Sequence, residues 1–459
     1  MVGLESIRSN GVHVGKLLEE YLKSSKIKKG DFAKEIDVSR NTLTQNLQTA
    51  DWTNERILKA VDVANELTLN GDLLSGLKLF PIAIPAFLEG RKGVVTGLVG
   101  RTIKTGLKDL FSEVTDIHEF KDNLIVDGSL GQGNAARSVW IGVRDDRISK
   151  NGFSEGVYVV LLFDSNGENA YLSIAYAVSD KDAKNLEAMA KVPAQKIMKV
   201  IEGDSRYEGI LPGAIDLGDT EGTVAEDYEK SVIVSKKYTV TNMDKETLKK
   251  DLSLLLSLFY DFVFEDYFEV LEESLLREDS DGTKGQDEEE STSKKSTKKG
   301  KSKSKIDPDL HKKLLAAKAE HNNKVGKEAE EFVHNYKVQQ LIDSGYSEYV
   351  NLIKHVSLDK DGFGFDIQSV EIDSAGNPQG VYLEVKGSSM GGKKDFTFYL
   401  SERELEVAKE LKDKYKVVLV EYVGYEKQRI FAEFSPFPNG DDEDVIEMKP
   451  IMYKCKFKN

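Results

Sequence analysis

Cysteine occurs once in the 459 residues, at Cys455, so no intramolecular disulfide can form and no cysteine-cluster zinc site can be built. Long apolar runs are missing as well. No stretch approaches the ~18 uncharged apolar residues of a membrane helix, and the most apolar candidate, Leu252 to Leu276, is broken by Asp261, Glu265 and Asp266. The opening MVGLESIRSNGVHVG has no apolar core of the kind a signal peptide carries. A cytoplasmic protein without membrane association is expected. Positive charge is in deficit: 64 Lys and Arg stand against 79 Asp and Glu, a net charge of −15. That excludes a protein coated in nucleic acid, because non-specific affinity comes from neutralising phosphates. It leaves room for DNA contact through local basic faces. Hydrophobic residues make up 39%, enough for packed cores. At roughly 150 residues per domain, the length predicts about three domains.

One boundary is marked by another absence. Arg277 to Lys305 contains no aromatic and no aliphatic residue, so nothing there can offset chain entropy. Residues 277–306 are expected to be a charged linker, acidic first and then rich in Lys and Ser. The other expected divisions are 1–68, a helical domain; 69–101, an apolar connector packed on the neighbouring domain; 102–276; and 307–459.

In the helical domain, Val14, Leu17, Leu18, Tyr21 and Leu22 recur at helical spacing. Next come a short helix over Lys29–Val38, a tight turn, and a second helix capped by Ser39. Phe32, Ala33, Ile36, Val38, Leu43 and Leu47 are the inward positions, and Arg40, Asn41, Thr42 and Gln45 face outward. The segment resembles the helix-turn-helix of Cro/CI-type repressors, with Asp37 where that family usually has Gly. The resemblance implies a second helix in the DNA major groove; a helical bundle for protein contacts is the alternative.

Residues 102–276 mix helix and strand signals, a mixed α/β domain. Gly156–Phe163 and Ala170–Ile174 read as strands joined by the turn Ser165-Asn-Gly167. The run Gly128-Ser-Leu-Gly-Gln-Gly-Asn-Ala135 precedes a strand, Ser138–Val143, so it is no dinucleotide fingerprint. This order, with Gly128, Gly131, Gly133, Asn134, Trp140, Gly156, Tyr158, Phe163 and Tyr171, resembles the N-terminal modified-DNA-reading domain of McrB-like restriction proteins. The resemblance implies a reader that extracts a modified cytosine from the duplex. Trp140, Tyr158 and Tyr171 would stack on the base, and the backbone at Gly131 and Gly133 would approach a phosphate. Core packing is the ordinary alternative for aromatics on strands.

Residues 307–459 carry the chemistry. A helix through His321–Val333 is succeeded by a strand over Gly362–Ser369, a turn at Ser374–Pro378 and a strand over Val381–Gly387. A further strand, Phe396–Leu400, a helix, Ser401–Ala408, and a strand, Lys416–Tyr422, complete the pattern. Hydrolysing a phosphodiester needs a hard cation to neutralise the phosphate and lower the pKa of a water. Magnesium takes one or two carboxylates plus waters. Asp366 and Glu384, on paired strands, converge as metal ligands; Lys386, two residues on and so on the same face, attends the attacking water or the developing charge. Glu330, on the preceding helix, adds a carboxylate. Glu-x-Lys alone is a common pattern in so charged a chain, and Glu410-Leu-Lys412 repeats it inside a helix, so the order of elements carries the assignment. That order resembles the PD-(D/E)xK restriction-endonuclease-like core. The segment also resembles a C-terminal domain found in bacterial restriction systems and in the plant protein NO VEIN, through Asn323, Gly326, Glu328, Glu330, Gly364, Asp366, Glu384, Lys386, Gly387, Ser401 and Glu404. Gly387–Lys394 mimics a Walker A loop but lacks the final Ser or Thr, so cutting without NTP is expected.

The expected protein is a multidomain α+β, modification-dependent, Mg²⁺-dependent endonuclease acting on double-stranded DNA. It is expected to pair as a homodimer to cut both strands. Two alternatives stand beside it: a DNA-binding regulator with an inactive nuclease fold, and a restriction enzyme reading an unmodified sequence.

Overall fold

A computed structural model describes residues 11–49, 52–67, 73–88, 92–130, 138–149, 152–178, 185–218, 221–264, 308–357, 362–391, 396–438 and 446. The described residues fall into two compact units, one drawn from Met1–Met198, Ser205–Val263 and Arg277–Leu314, the other from Lys199–Asp204, Phe264–Leu276 and Leu315–Asn459. The expected linker at 277–306 lies outside the described residues.

The first unit opens with α1 (Val14–Ser24), α2 (Lys29–Glu35), α3 (Arg40–Asn46) and α4 (Asn54–Leu67). The Ser39 hydroxyl accepts the Thr42 N–H at 3.0 Å and starts α3, as its position at the N-cap requires. Phe32, Ala33, Ile36, Leu43 and Leu47 are buried as expected, and Val38 is half-buried. Asp37 sits in the turn at φ +62°, a left-handed conformation in which a Cβ is crowded. Glycine is the natural occupant of such a position, which explains the family's preference there. A Cβ on Gly15 would lie 2.5 Å from the Leu47 carbonyl oxygen, so only glycine lets α1 come this close to the end of α3.

The expected connector is largely helical: a 3₁₀ turn (Leu73–Leu79), α5 (Phe80–Leu88) and α6 (Lys92–Arg101). It packs on the sheet of the same unit, with Phe80 edge-on to Phe163 at 5.2 Å.

After α7 (Lys108–Thr115) come β1 (Leu124–Ser129), β2 (Val139–Asp145), β3 (Val157–Phe163), β4 (Asn169–Tyr176), α8 (Leu186–Ile201), β5 (Ile210–Pro212), α9 (Val224–Ser231), β6 (Val232–Thr239) and α10 (Lys245–Phe262). The six strands form one antiparallel sheet in the order β1-β2-β3-β4-β6-β5. β3 and β4 form the hairpin read from the sequence, with Gly167 at φ +69° in its turn. Every residue of β3 is buried, the mark of a central strand covered on both faces.

The end of β2 is tied to α10 by a buried polar cluster. Asp145, wholly buried, accepts from Arg147 Nε at 2.9 Å and from the Tyr260 hydroxyl at 2.7 Å. The Arg147 guanidinium lies 5.0 Å from the Phe120 ring centre. Removing one partner of a buried ion pair leaves the other charge uncompensated, at a cost of about 3–5 kcal/mol.

The second unit holds α11 (Pro308–Asp343) from Leu315 onward, β7 (Lys354–His355), β8 (Ile367–Ile372), β9 (Pro378–Ser388), α12 (Glu402–Leu411), β10 (Tyr415–Glu421) and β11 (Arg429–Phe434). The sheet order is β11-β10-β9-β8-β7, with β9 and β10 parallel and the other pairs antiparallel. Alternation along β9 sends Leu383 and Val385 to the core shared with Val325, Ala329 and Val333 of α11. Tyr382 goes to the opposite core, with Val407 and Ala408 of α12. A Cβ on Gly387 would lie 2.8 Å from the Ala329 Cβ, so this glycine sets the helix-to-sheet spacing.

Two expectations for this unit are corrected. Phe396–Leu400 is not a strand: Phe396 and Phe398 pack against Phe431 and Phe434 at 6.0 and 6.2 Å, and β9 itself leads into α12 and β10. The aromatic alternation there reflects side-chain packing rather than ladder pairing. The first half of the expected strand Gly362–Ser369 is a bend, with Gly362 at φ +104° and Gly364 at φ +81°.

Asp145→Ala is expected to destabilise the first unit by about 3–5 kcal/mol. Denaturant unfolding followed by Trp52 and Trp140 fluorescence measures this, since both tryptophans of the chain lie in that unit. An unchanged midpoint would show that the cluster contributes nothing net.

Candidate active site and nucleic-acid interface

The hairpin β8–β9 aligns Ile367 with Leu383, which sets Asp366 beside Glu384 just before the ladder begins. Asp366 is anchored from both ends. Its N–H donates to the Leu383 carbonyl at 2.9 Å, and its carboxylate accepts the Val385 N–H at 2.7 Å. Glu384 is 2% exposed, and its Oε1 accepts from Lys386 Nζ at 2.5 Å. Lys386 also reaches Glu404 Oε2 at 3.4 Å. Glu404 in turn closes the capping box of α12, accepting the Ser401 N–H at 2.7 Å.

Glu330, on α11, accepts from Ser357 Oγ at 2.5 Å and lies 2.8 Å from His355 Nε2. Asp366, Glu384, Lys386, Glu330, Glu404 and Glu421 all line one cleft of about 550 Å³. The expected quartet of Asp366, Glu384, Lys386 and Glu330 is thus brought together. Sequence reasoning missed His355 and Ser357 as partners of Glu330. It also missed Glu404 as the second partner of Lys386. The Ser401-x-x-Glu404 spacing signals a cap, but nothing local signals a charge aimed at β9.

Burial dominates the electrostatics. It pushes the Glu384 carboxyl up to about 8, with the neighbouring Asp366 charge adding to the rise and Lys386 opposing it. Asp366 is pushed up to about 6, again by burial first; the Val385 N–H opposes the rise and the Glu330 charge adds to it. Burial pulls Lys386 down, but Glu384 and Glu404 outweigh it, and its ammonium is held above the usual lysine range. Two hard oxygen donors, crowded and mostly out of water, form a set that a divalent cation would relieve. The donor chemistry fits magnesium, which keeps several waters and needs few carboxylates. Among the described residues, no group of three or more His, Cys, Asp or Glu is arranged to hold a metal.

In the first unit, Arg40, Asn41 and Gln45 are exposed on α3 and Thr42 is half-exposed, so all four lie on the outward side of that helix. Gly131, Gly133 and Asn134 lie outside the described residues. Trp140 is half-buried, with its ring 4.7 Å from Phe153, which meets Tyr158 at 5.0 Å. Tyr158 and Tyr171 are packed in the core at 3% and 6% exposure. The cavity among Trp140, Phe153, Tyr158 and Tyr228 measures about 10 Å³, room for one water and not for a base.

An antiparallel sheet with an aromatic cluster, and a separate mixed sheet with acidic and basic side chains gathered in a cleft, define a chain that joins two kinds of domain. Residues 94–264 match the family described as MrcB-like, N-terminal domain, and residues 329–432 match the family described as Protein NO VEIN, C-terminal. The McrB-like and NO VEIN-type resemblances read from the sequence are both present in the chain. Together the two domains suggest a restriction- or nuclease-type function, and with it contact with DNA. No curated protein and no solved structure matches the chain. Among the described residues, no helix is long and apolar enough to cross a membrane.

Both raised carboxyls contribute stability when protonated. That stability is present below their ordinary values of 3.8 and 4.5 and is lost as pH rises through about 6 and about 8. In the absence of divalent ions, the second unit is therefore expected to melt at progressively lower temperature across that window. Glu384→Gln should flatten the upper part of the fall. Thermal melts in chelator across the range test it; parallel curves for variant and wild type would refute the assignment.

Proposed function

We propose that the chain is a modification-dependent DNA endonuclease, reading modified cytosine with its first unit and hydrolysing a phosphodiester with its second. The observation that carries the catalytic half is the meeting of Asp366, Glu384 and Lys386 where the start of β8 meets the second half of β9, in a cleft of about 550 Å³. The order of α11, this hairpin, α12 and β10 supports reading it as a PD-(D/E)xK core.

Asp366 and Glu384 are the residues that would hold magnesium. Bound there, the ion supplies charge neutralisation at the scissile phosphate and lowers the pKa of a water. The remaining work falls to the chain. Lys386 presents an ammonium beside Glu384, where it can orient a nucleophilic oxygen or stabilise negative charge that grows on the phosphate. Glu404 gives the same ammonium a second, longer contact at 3.4 Å. Glu330, held by His355 and Ser357, sets a third carboxylate toward the cleft.

The reading half rests on the match over residues 94–264 and on the aromatic cluster at Trp140, Phe153 and Tyr158. Admitting a flipped base requires Trp140 or Phe153 to swing aside, because the space between them holds only a water. Arg40, Asn41, Thr42 and Gln45 are placed to meet the major groove if α2 and α3 act as a helix-turn-helix. Cutting both strands calls for two such centres, hence a homodimer on DNA.

The deciding assay compares cleavage of cytosine-modified and unmodified plasmid in Mg²⁺. Modified DNA should be cut preferentially, and Lys386→Ala or Glu384→Ala should lower the rate at least ~100-fold. Variants that cut as well as wild type would remove the assigned centre. Equal cutting of both plasmids would remove the modification reading while sparing the nuclease.

A further inference from the structure

The same cleft has a second wall, made by one face of α11. Lys318, Asn322, Asn323, Gly326 and Lys327 line it and lead along the helix to Glu330. Spacings of three and four residues place them on neighbouring turns of one side. The floor of the cleft is acidic, with Asp366, Glu384, Glu404 and Glu421 against the single cation Lys386 among those strand and α12 residues. A polyanion approaching that floor meets repulsion unless it is held by something else. Two lysines, which supply charge, and two side-chain amides, which donate N–H groups, are the chemistry that holds phosphate oxygens.

Gly326 is the second, independent observation. It lies inside a helix of 36 residues, where glycine is the poorest choice after proline. Elsewhere in this unit tight packing explains such a residue, as at Gly387 against Ala329. At Gly326 a Cβ would meet no atom within 4 Å. Helix packing therefore does not call for glycine there; the residue keeps the middle of the cleft wall flat and its backbone half-exposed.

We propose that this face of α11 is a phosphate track for the DNA strand being cut. The backbone of the strand runs along Lys318, Asn322, Asn323 and Lys327, passes closest to the helix at Gly326, and delivers its phosphodiester to the carboxylates of β8 and β9. The inference rests on the nuclease reading and adds to it the surface that binds the substrate.

Three changes to the full-length chain test it. In Lys318→Ala/Lys327→Ala, cleavage of plasmid DNA should fall at least ~10-fold through a raised KM. The salt dependence of that KM should become shallower by roughly 2 in log–log slope, since each phosphate contact contributes about 0.9. Hydrolysis of bis(p-nitrophenyl) phosphate, a diester with no strand attached, should be unchanged. Gly326→Leu should leave the melting transition unlowered, because leucine favours helix, yet reduce DNA cleavage by a similar factor and spare the small diester. Equal losses on both substrates, or undiminished DNA cleavage, would overturn the track. If wild type hydrolyses neither substrate, the nuclease reading fails and binding still decides the track. A photoreactive benzoylphenylalanine placed at Asn322 should then cross-link to DNA, while one at the exposed Glu328, two residues from both Gly326 and Glu330 and so about 160° round the helix from each, should not. Cross-linking at neither position, or equally at both, overturns the proposal.

Discussion

Two carboxylates and an ammonium held together largely out of water are the constraint on which the second unit depends. Asp366, just before β8, and Glu384, on β9, repel one another when both are ionised, and burial raises the carboxyls of both. Such an arrangement works against folding unless something outweighs it. The compensation lies on either side of β9. Leu383 and Val385 enter the core under α11, and Tyr382 enters the core under α12, so the strand is clamped by apolar packing above and below the charged pair. Lys386 then completes the charge balance locally, shared between Glu384 and Glu404.

The first unit solves a different problem with different means. Its sheet is antiparallel throughout, β3 is buried along its whole length, and the polar groups at the end of β2 are satisfied by one another. Its aromatic residues lie mostly inside, with Trp140 at the margin of the cluster. The hydrogen-bonded cluster of Asp145, Arg147 and Tyr260 fixes α10 against the strand end, and Phe120 packs on the same tyrosine at 4.5 Å. Recognition by this unit would draw on the marginal side chains, because the interior is fully committed to packing.

How much of this was legible in the sequence varies with the range of the interaction. The Ser39 cap, the inward positions of α2 and α3, the β3–β4 hairpin and the parity of Glu384 with Lys386 are all local, and each follows from spacing along the chain. The strand expected at Phe396–Leu400 failed because alternating aromatics signal alternate burial, which packing against Phe431 and Phe434 satisfies as well as a ladder does. The expected strand start at Gly362 failed because glycines at positive φ bend the chain before Ile367. His355 and Ser357 carry no periodic or motif signal; they reach Glu330 only because β7 is laid against β8.

By itself, the sequence determined the two family resemblances and named the candidate quartet of Glu330, Asp366, Glu384 and Lys386. Those rest on residue type and short spacing, which physics within one strand or one helical turn governs. The tertiary structure alone decided which groups share the cleft or brace it: Glu404 from the start of α12, His355 from a two-residue strand, and the face of α11 with its open glycine. Each is far from β9 in the chain or on another element. Their meeting is set by how α11 and α12 pack on opposite faces of one sheet, which no local pattern encodes.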